Sequence, residues 1–531
     1  MFTKHQNGFL HAAAGIVLFF QISCIWFFTY LPLQDYYEWL IQSKILLNLC
    51  SGDDFTRHYY FCSFSPIPPP NAFLNIFMAA LQIIVSTKIS GKIILTIYIL
   101  LFNLGFYRYC QKTMDGHPLR FIGLLFTFNL FFYMGFLSYI LGISLFLLGL
   151  PIFSTSSSSI QKKSLQIFVV SLFLYLVHGF AFGLFILAFM VWFIRLNWKS
   201  GRIRNSLIPI AAVLPSVTLT IVYIIYLPSS RGEPFDWHDS IFHQLQNLRY
   251  GFTNLQRIAL MDNTLPLTFL NLLILFFVGL IFFRSRKYFS IKSFSGVSVA
   301  IFAAIMIFNP VYRIGDFYPI NSRFSVVIIP LLSGAFVFSR RKPNLEILII
   351  AVALFISISH AAQFRQFNQL TRPIIARLES QYKAAQSPFV LSRVNIDDFE
   401  RSPLNIFSSI IQPYIFTEGI FNTDSLRFFV PIHATSIVHV RKNEETTVKT
   451  YVDNLFDGLR TRQYFVDAIK KSKDSLFANF DKIFIVGTRT TQKEMTSELN
   501  PEFVQTNELD LWIVLERKAS FMRRKAVNFW R

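Results

Sequence analysis

Residues 9–40 read FLHAAAGIVLFFQISCIWFFTYLPLQDYYEWL. From Phe9 to Leu31 there is no Asp, Glu, Lys or Arg. That stretch exceeds the about 20 apolar residues needed to cross a hydrocarbon core of about 30 Å. Pro32 then interrupts the helix, because its ring cannot continue the hydrogen-bond ladder. Three residues later comes Asp35, among Tyr36, Tyr37 and Trp39. Tyr and Trp favour the membrane–water interface. The segment is therefore a membrane span that delivers a carboxylate to the bilayer surface.

The same pattern recurs along the chain. Hydrophobic residues make up 53% of the 531 and charged residues only 15%, with 62 Phe. A soluble domain usually carries about 25% charged residues. Apolar runs over 9–31, 91–107, 119–134, 137–153, 165–177, 179–195, 206–227, 265–283, 293–309, 324–339 and 345–358 predict about eleven transmembrane helices. The N-terminal MFTKHQNG has no small-residue cleavage signal, so the first span reads as a retained helix. The apolar stretch 72–87 is ambiguous by itself, and topology decides it. Lys- and Arg-rich loops mark the cytoplasmic side. They are YRYCQKTMDGHPLR, SIQKKS, RLNWKSGRIRN, FRSRKYFSIKS and SRRKPN, and successive pairs are separated by two spans. Their parity makes helix 91–107 enter from outside. If 72–87 crossed, the first loop would be cytoplasmic and the N-terminus outside; if it only dips into the outer leaflet, the N-terminus with Lys4 is inside and residues 32–90 form one outer loop, which is the preferred reading. The Pro-rich entry SFSPIPPPNAF suits a surface-lying segment. The low-complexity STSSSS at 154–159 reads as a loop.

The net charge of +20 would point to nucleic acid in a soluble protein. Here the excess sits in short loops between spans, which is the topology signature, and nucleic acid is not an expected partner. After residue 358 charged residues become frequent and apolar runs shorten. SPFVLSRV, TSIVHVR, FDKIFIVGT and LDLWIVLER read as strands, the last two paired, and VDNLFDGLRTRQYFVDAIKKS as an amphipathic helix. The expected architecture is a polytopic α-helical membrane bundle over 1–358 and a soluble extracytoplasmic α/β domain over 359–531. No phosphate-binding glycine motif occurs in that domain.

Several residues are placed to do chemistry. Asp35 is positioned for general-base work beside a lipid-borne substrate; a solvated loop acid is the plainer alternative. His178, in YLVHGFAFG between two spans, stands near the outer surface. Arg57 and His58 lie in the first outer loop, Arg249 and Arg257 in the second (228–264), and Arg313 and Arg323 flank the third (310–323). Arginines converging over a membrane cavity suit a lipid phosphate or pyrophosphate, which the guanidinium fork can bind through two oxygens. Ordinary headgroup contact is the alternative for any single one. Arg323 opens the span NSRFSVVIIPLL and is the strongest of the set. The acid pairs Asp53/Asp54 and Asp236/Asp239 could take a divalent cation, although solvated loop acids are the commoner case. No Cys/His spacing suggests a zinc site, and no cofactor is called for. Cys50 and Cys62 share the first outer loop, as a disulfide or as free thiols.

A first span leading to an Asp in a long outer loop, a Pro-led partly inserted helix, a hydrophobic bundle and an exported α/β tail together resemble the GT-C superfamily of polytopic glycosyltransferases. The matching stretches are LPLQDYYEWL, FNLFFYMGFLSYILGISLFLLGL, LVHGFAFGLFILAF, INSRFSVVIIPLL and the closing FDKIFIVGT…LDLWIVLERK. They cover most of the chain, though the motifs are short. The resemblance implies a polyprenyl-phosphate-linked sugar donor, a glycan, lipid or protein acceptor, and a place in the bacterial inner membrane. It implies Asp35 as the catalytic base, with Glu38, Arg57, His58, His178, Arg313 and Arg323 as candidate substrate-binding residues and no metal ligand assigned. Two departures stand out. Many members have a second acid directly after the first or a His nearby, whereas Tyr36 follows Asp35 and the next acid is Glu38. The outer turn YMGFLSY carries no acid, where some relatives use one. A lipid-linked glycan flippase or transporter would instead show internal repeats and broken helices. An O-antigen ligase or polymerase would centre on Arg and His in loop 228–264.

Overall fold

Helix α1 (Phe2–Phe27) ends before Pro32, whose ring keeps Leu31 out of helical geometry. The chain through Leu31–Leu33 is then held locally. The Tyr37 hydroxyl accepts from the Leu31 amide at 2.9 Å, and the Leu33 amide donates to the Leu31 carbonyl at 2.8 Å. The computed structural model describes residues 2–33, 35–52, 60–64, 70–113, 117–154, 159–200, 207–225, 235–237, 265–309, 311–314, 320–338, 342–383, 389–393, 438–442, 482–486, 503–509 and 512–517, with single positions between 242 and 249.

Two helices then occupy the expected outer loop, α2 (Tyr36–Ser51) and α3 (Ala72–Gln82). With 11 residues, α3 is about 16 Å long, half the hydrocarbon thickness. It does not cross. Its polar side chains turn toward α2: Asn75 donates to Gln42 at 3.2 Å and Gln82 to Ser43 at 2.6 Å. The intervening strand β1 is Tyr60–Phe64.

After α4 (Thr87–Thr113) the sequence reading needs correction. The expected span 119–134 is not a continuous helix. It contains a 3-10 turn (Ile122–Leu125) and the single-turn α5 (Leu130–Tyr133). Irregular backbone at membrane depth is tolerated where protein surrounds it, and every residue from 117 to 133 is buried. Polar side chains replace the missing ladder. The Asn129 side chain accepts from the Phe131 and Phe132 amides at 3.0 and 3.2 Å and donates to the Tyr98 hydroxyl at 3.0 Å. Asn103 donates to Thr127 at 3.0 Å.

The remaining helices follow the predicted runs: α6 (Leu137–Gly149), α7 (Pro151–Ser154), α8 (Ile160–Val177), α9 (Gly179–Ser200), α10 (Leu207–Ile225), α11 (Leu265–Ser285), α12 (Phe294–Phe308), α13 (Ile320–Ala335) and α14 (Pro343–Lys383). Among the described residues six helices are long and apolar enough to cross a membrane, and shorter apolar helices pack among them. Large apolar side chains lie bare on their outer faces, as with Phe19 at 72%, Phe27 at 82% and Phe276 at 69% exposure. In water such a belt would be an aggregation surface; in a bilayer it faces lipid. The protein is an integral membrane protein.

A buried ion pair closes the end of the bundle that the basic loops assign to the cytoplasm. Arg120 donates to Glu346 from Nη2 at 2.7 Å and from Nε at 3.2 Å, and to Asn7 at 2.9 Å, joining α1, the broken segment and α14. Beside it, outside the spans, His117 bonds the Phe336 carbonyl at 2.9 Å. Burial, against the weaker opposing pull of that hydrogen bond, lowers its pKa from 6.5 to about 4. The unfolded chain therefore binds the extra proton between those values. Stability in detergent should hold above pH 6.5 and decline as pH falls toward 4, and His117→Asn should flatten that decline in a melting series.

Helix α14 runs to Lys383, so the expected boundary at 358/359 falls inside a continuous helix. Beyond it, strands β4 (Phe389–Arg393), β6 (Lys482–Val486), β7 (Phe503–Leu509) and β8 (Trp512–Arg517) form a sheet of order β4-β6-β8-β7. The pair β4/β6 is parallel and the others antiparallel. Strand β5 (Val438–Lys442) instead pairs with β1 of the outer loop. A further ribbon joins β2 (Phe235–Trp237) to β3 (Val311–Ile314). The helix expected over 452–472 lies outside the described residues.

Cys24 and Cys110 are buried free thiols and Cys50 an exposed one. That gives a topology test. In a Cys62→Ser background, a membrane-impermeant maleimide should reach Cys50 and Ser86→Cys from outside, and Lys162→Cys only after permeabilisation. The reverse pattern would overturn the assignment.

Candidate functional site

Asp35 is the N-cap of α2, half-buried, and its carboxylate makes no capping bond to the helix. Its backbone is clamped by the turn between α5 and α6. The Asp35 amide donates to the Met134 carbonyl at 2.9 Å. The next residue, Gly135, has φ +72°. A Cβ there would lie 2.6 Å from the Asp35 nitrogen and press on the Tyr36 amide. Glycine is required twice over, for the backbone angle and for the approach. Gly135→Ala should cost about 1–2 kcal/mol in backbone strain alone and push Asp35 outward. Melting in detergent and turnover should fall together; unchanged turnover would mean that the clamp does not set the position of Asp35.

On the other side of the same turn lies a buried cation. Arg323, in the first turn of α13, is 4% exposed. Its guanidinium carbon is 5.0 Å from the Phe136 ring centroid and 5.1 Å from that of Tyr139. Such stacking holds a planar guanidinium at little entropic cost. The Tyr139 hydroxyl donates to the Arg323 carbonyl at 2.6 Å. Arg323 Nη1 stands 3.3 Å from His178 Nε2. A guanidinium only donates, so Nε2 accepts and the imidazole is neutral at that nitrogen. His178 caps α8 and is buried; Gly142 on α6 lets its Cβ approach closely, since an added Cβ would sit 2.8 Å away.

The sequence-predicted residues thus divide. Asp35, His178 and Arg323 are gathered around one segment, Met134–Tyr139. Glu38 lies in the first turn of α2, one turn from Asp35. Arg313 is in β3, its backbone in register with Asp236 of β2, one of the acids considered for a metal. Arg57, His58, Arg257, Asp53, Asp54 and Asp239 lie outside the described residues. Arg249 is exposed.

Sequence reasoning missed Gly135, Phe136 and Tyr139. The signal was in YMGFLSY: a glycine between aromatics at a span junction marks a tight turn with rings on both sides. It also missed a second buried polar pair, Tyr133 with His360 of α14, whose hydroxyl and Nδ1 are 2.5 Å apart. Asn368, further along α14, donates to the Tyr30 carbonyl at 2.9 Å, so α14 braces the irregular segment that leads to Asp35.

No family model matches the sequence, and no curated protein matches it. Among solved structures the chain is similar to the crystal structure of ArnT from Cupriavidus metallidurans in the apo state. The TM-score is 0.55 at 10% identity, covering 97% of this chain and 99% of that one. At that identity the likeness is one of fold. ArnT is a GT-C glycosyltransferase, and the GT-C fold expected from the sequence is the fold found.

Proposed function

We propose that this chain, which has the fold of the GT-C membrane glycosyltransferases, transfers a sugar from a polyprenyl-phosphate donor to a glycan, lipid or protein acceptor. The reaction takes place at the extracytoplasmic face of the bacterial inner membrane. The observation that carries the reading is the turn Met134–Tyr139, with the Asp35 amide hydrogen-bonded on one side and the Arg323 guanidinium stacked on the other. A base and a cation held by one rigid turn at the outer end of a membrane bundle are the parts this chemistry needs.

In the proposed reaction the Asp35 carboxylate takes the proton from the acceptor hydroxyl. The acceptor oxygen attacks the anomeric carbon from the face opposite the phosphate. The bond from that carbon to the phosphate oxygen breaks, and its electron pair leaves with the phosphate. Arg323 stabilises the departing charge, and His178, neutral at the nitrogen it offers, positions the guanidinium. A phosphate leaving group needs little protonation, so one carboxylate suffices, unlike the two of a glycosidase. The configuration at the anomeric carbon inverts. The chain beyond α14 forms the proposed extracytoplasmic domain, joined to the outer loop through β1 and β5. The test is an assay of purified protein against a panel of polyprenyl-phosphate sugars, wild type beside Asp35→Asn. No transfer from any donor by wild type would overturn the reading.

A further inference from the structure

We propose a second lipid site, on the opposite side of the membrane from Asp35, that takes the headgroup of an anionic phospholipid. A cavity of about 450 Å³ lies between the end of α11 and the start of α14. Its walls change character with depth. Phe277, Leu280 and Leu348 line the part toward the membrane interior, and Arg284, Ser285 and Lys342 the part toward the loops. None of the residues lining it is acidic. Arg284 stands in the last turn of α11, and Lys342 immediately precedes α14, so both cations sit at headgroup depth.

The plainer account is that these cations only set topology, since both belong to the basic loops of the cytoplasmic face. Topology requires charge in the loop but not convergence on a cavity. Here the loop carrying Arg284 is fastened to the loop carrying Lys342. The Ser290 amide donates to the Ala335 carbonyl at 3.0 Å and the Val337 amide to the Tyr288 carbonyl at 2.8 Å. The Lys342 ammonium is fixed 4.6 Å from the Tyr288 ring centroid. The site thus sets two cations, Lys342 held over a ring and Arg284 at the helix end, over an apolar slot. The slot opens to lipid, because Leu280 and Leu348 are 38% and 47% exposed on spanning helices. A free phosphate would use the cations and leave the slot empty. A phosphodiester with acyl chains fills both parts, and basic pockets between spanning helices suit such headgroups. The volume lies within the range of small-ligand sites.

The site does not depend on glycosyl transfer, so its test is a binding measurement. Full-length protein in detergent is mixed with equal phosphatidylglycerol and phosphatidylcholine, and retained lipid is counted by native mass spectrometry. Wild type should retain phosphatidylglycerol about tenfold over phosphatidylcholine, an effect expected of two cations at the surface. The double variant Arg284→Gln/Lys342→Gln should lose that preference. Lys162→Gln, which removes a cation from another loop of the same face, should keep it, as should Arg284→Lys. Millimolar inorganic phosphate should not displace the lipid. Equal retention of the two lipids by wild type overturns the proposal. So does an unchanged preference in the double variant, or an equal loss in Lys162→Gln. Displacement by phosphate would make the occupant a free anion and overturn it too. If the double variant melts early in phosphatidylcholine, the exposed Arg284→Gln alone carries the test, with a preference reduced by about half or more counted as support and an unchanged one as refutation.

Discussion

Asp35→Asn is expected to lower turnover by about 10²–10⁴, the usual contribution of a positioned general base, while the protein folds and still binds donor. The amide has the shape of the carboxylate and cannot take a proton. Folding should survive because the substitution leaves the backbone contacts of residue 35 in place. The Asp35 amide bonds Met134, the Asp35 carbonyl accepts from the Trp39 amide, and no capping bond from the side chain holds α2. Donor binding should survive because the proposed phosphate contact is Arg323. Single-turnover kinetics with a polyprenyl-phosphate sugar separate the two quantities. A variant that binds donor and turns over slowly supports Asp35 as the base. Full activity in Asp35→Asn would remove Asp35 from the chemistry and return attention to loop 228–264.

How far the sequence could carry this depended on the kind of signal each segment gave. Long uncharged runs such as 165–177 and 206–227 declare themselves, because only a helix hides its own backbone from lipid. The same reasoning failed over 119–134. An apolar window reports burial and not backbone shape, and here the burying medium is protein. The irregularity was written in Asn129 and Thr127, whose side chains take over the helix ladder, but isolated polar residues in an apolar run carry no unique reading. The eleven-residue α3 followed from loop parity and its Pro-rich entry more than from its own composition. Strand pairing was legible for β6 and β8, which lie within one short stretch of the chain, although β7 between them was not read. It was not legible for β1 and β5, which lie far apart in the chain and share no local signal.

The candidate site divides the same way. Asp35 was visible because a span end, a proline and interfacial aromatics fix its depth. Arg323 and His178 each marked the outer end of a span, but their contact is tertiary. It depends on Gly142 admitting His178 against α6 and on Phe136 and Tyr139 holding the guanidinium. A glycine inside LSYILGISLFLLG reads as ordinary helix packing until its neighbour is known. Arg313 belonged to the same expected set, yet its backbone lies in a ribbon with Asp236 and not in the segment around Met134–Tyr139.

Arg323→Gln is expected to weaken donor binding by roughly 1.5–3 kcal/mol, the worth of a lost charge-assisted hydrogen bond, or about ten- to hundredfold in Kd. The side chain is almost fully buried and its ring stacking is already formed, so little ordering cost falls due when a phosphate arrives. Arg323→Lys distinguishes charge from geometry. Lysine keeps the positive charge but loses the planar fork, the two-ring stack and the reach to His178 Nε2. It should recover only part of the affinity. Equilibrium binding of a polyprenyl-phosphate sugar to the three proteins, with melting curves to verify folding, reads this out. His178→Gln supplies the control for positioning: by letting the guanidinium move, it should lower turnover more than affinity. Wild-type affinity in a folded Arg323→Gln would place the donor phosphate elsewhere, and Arg323 would then be a bracket between α6 and α13, not a ligand.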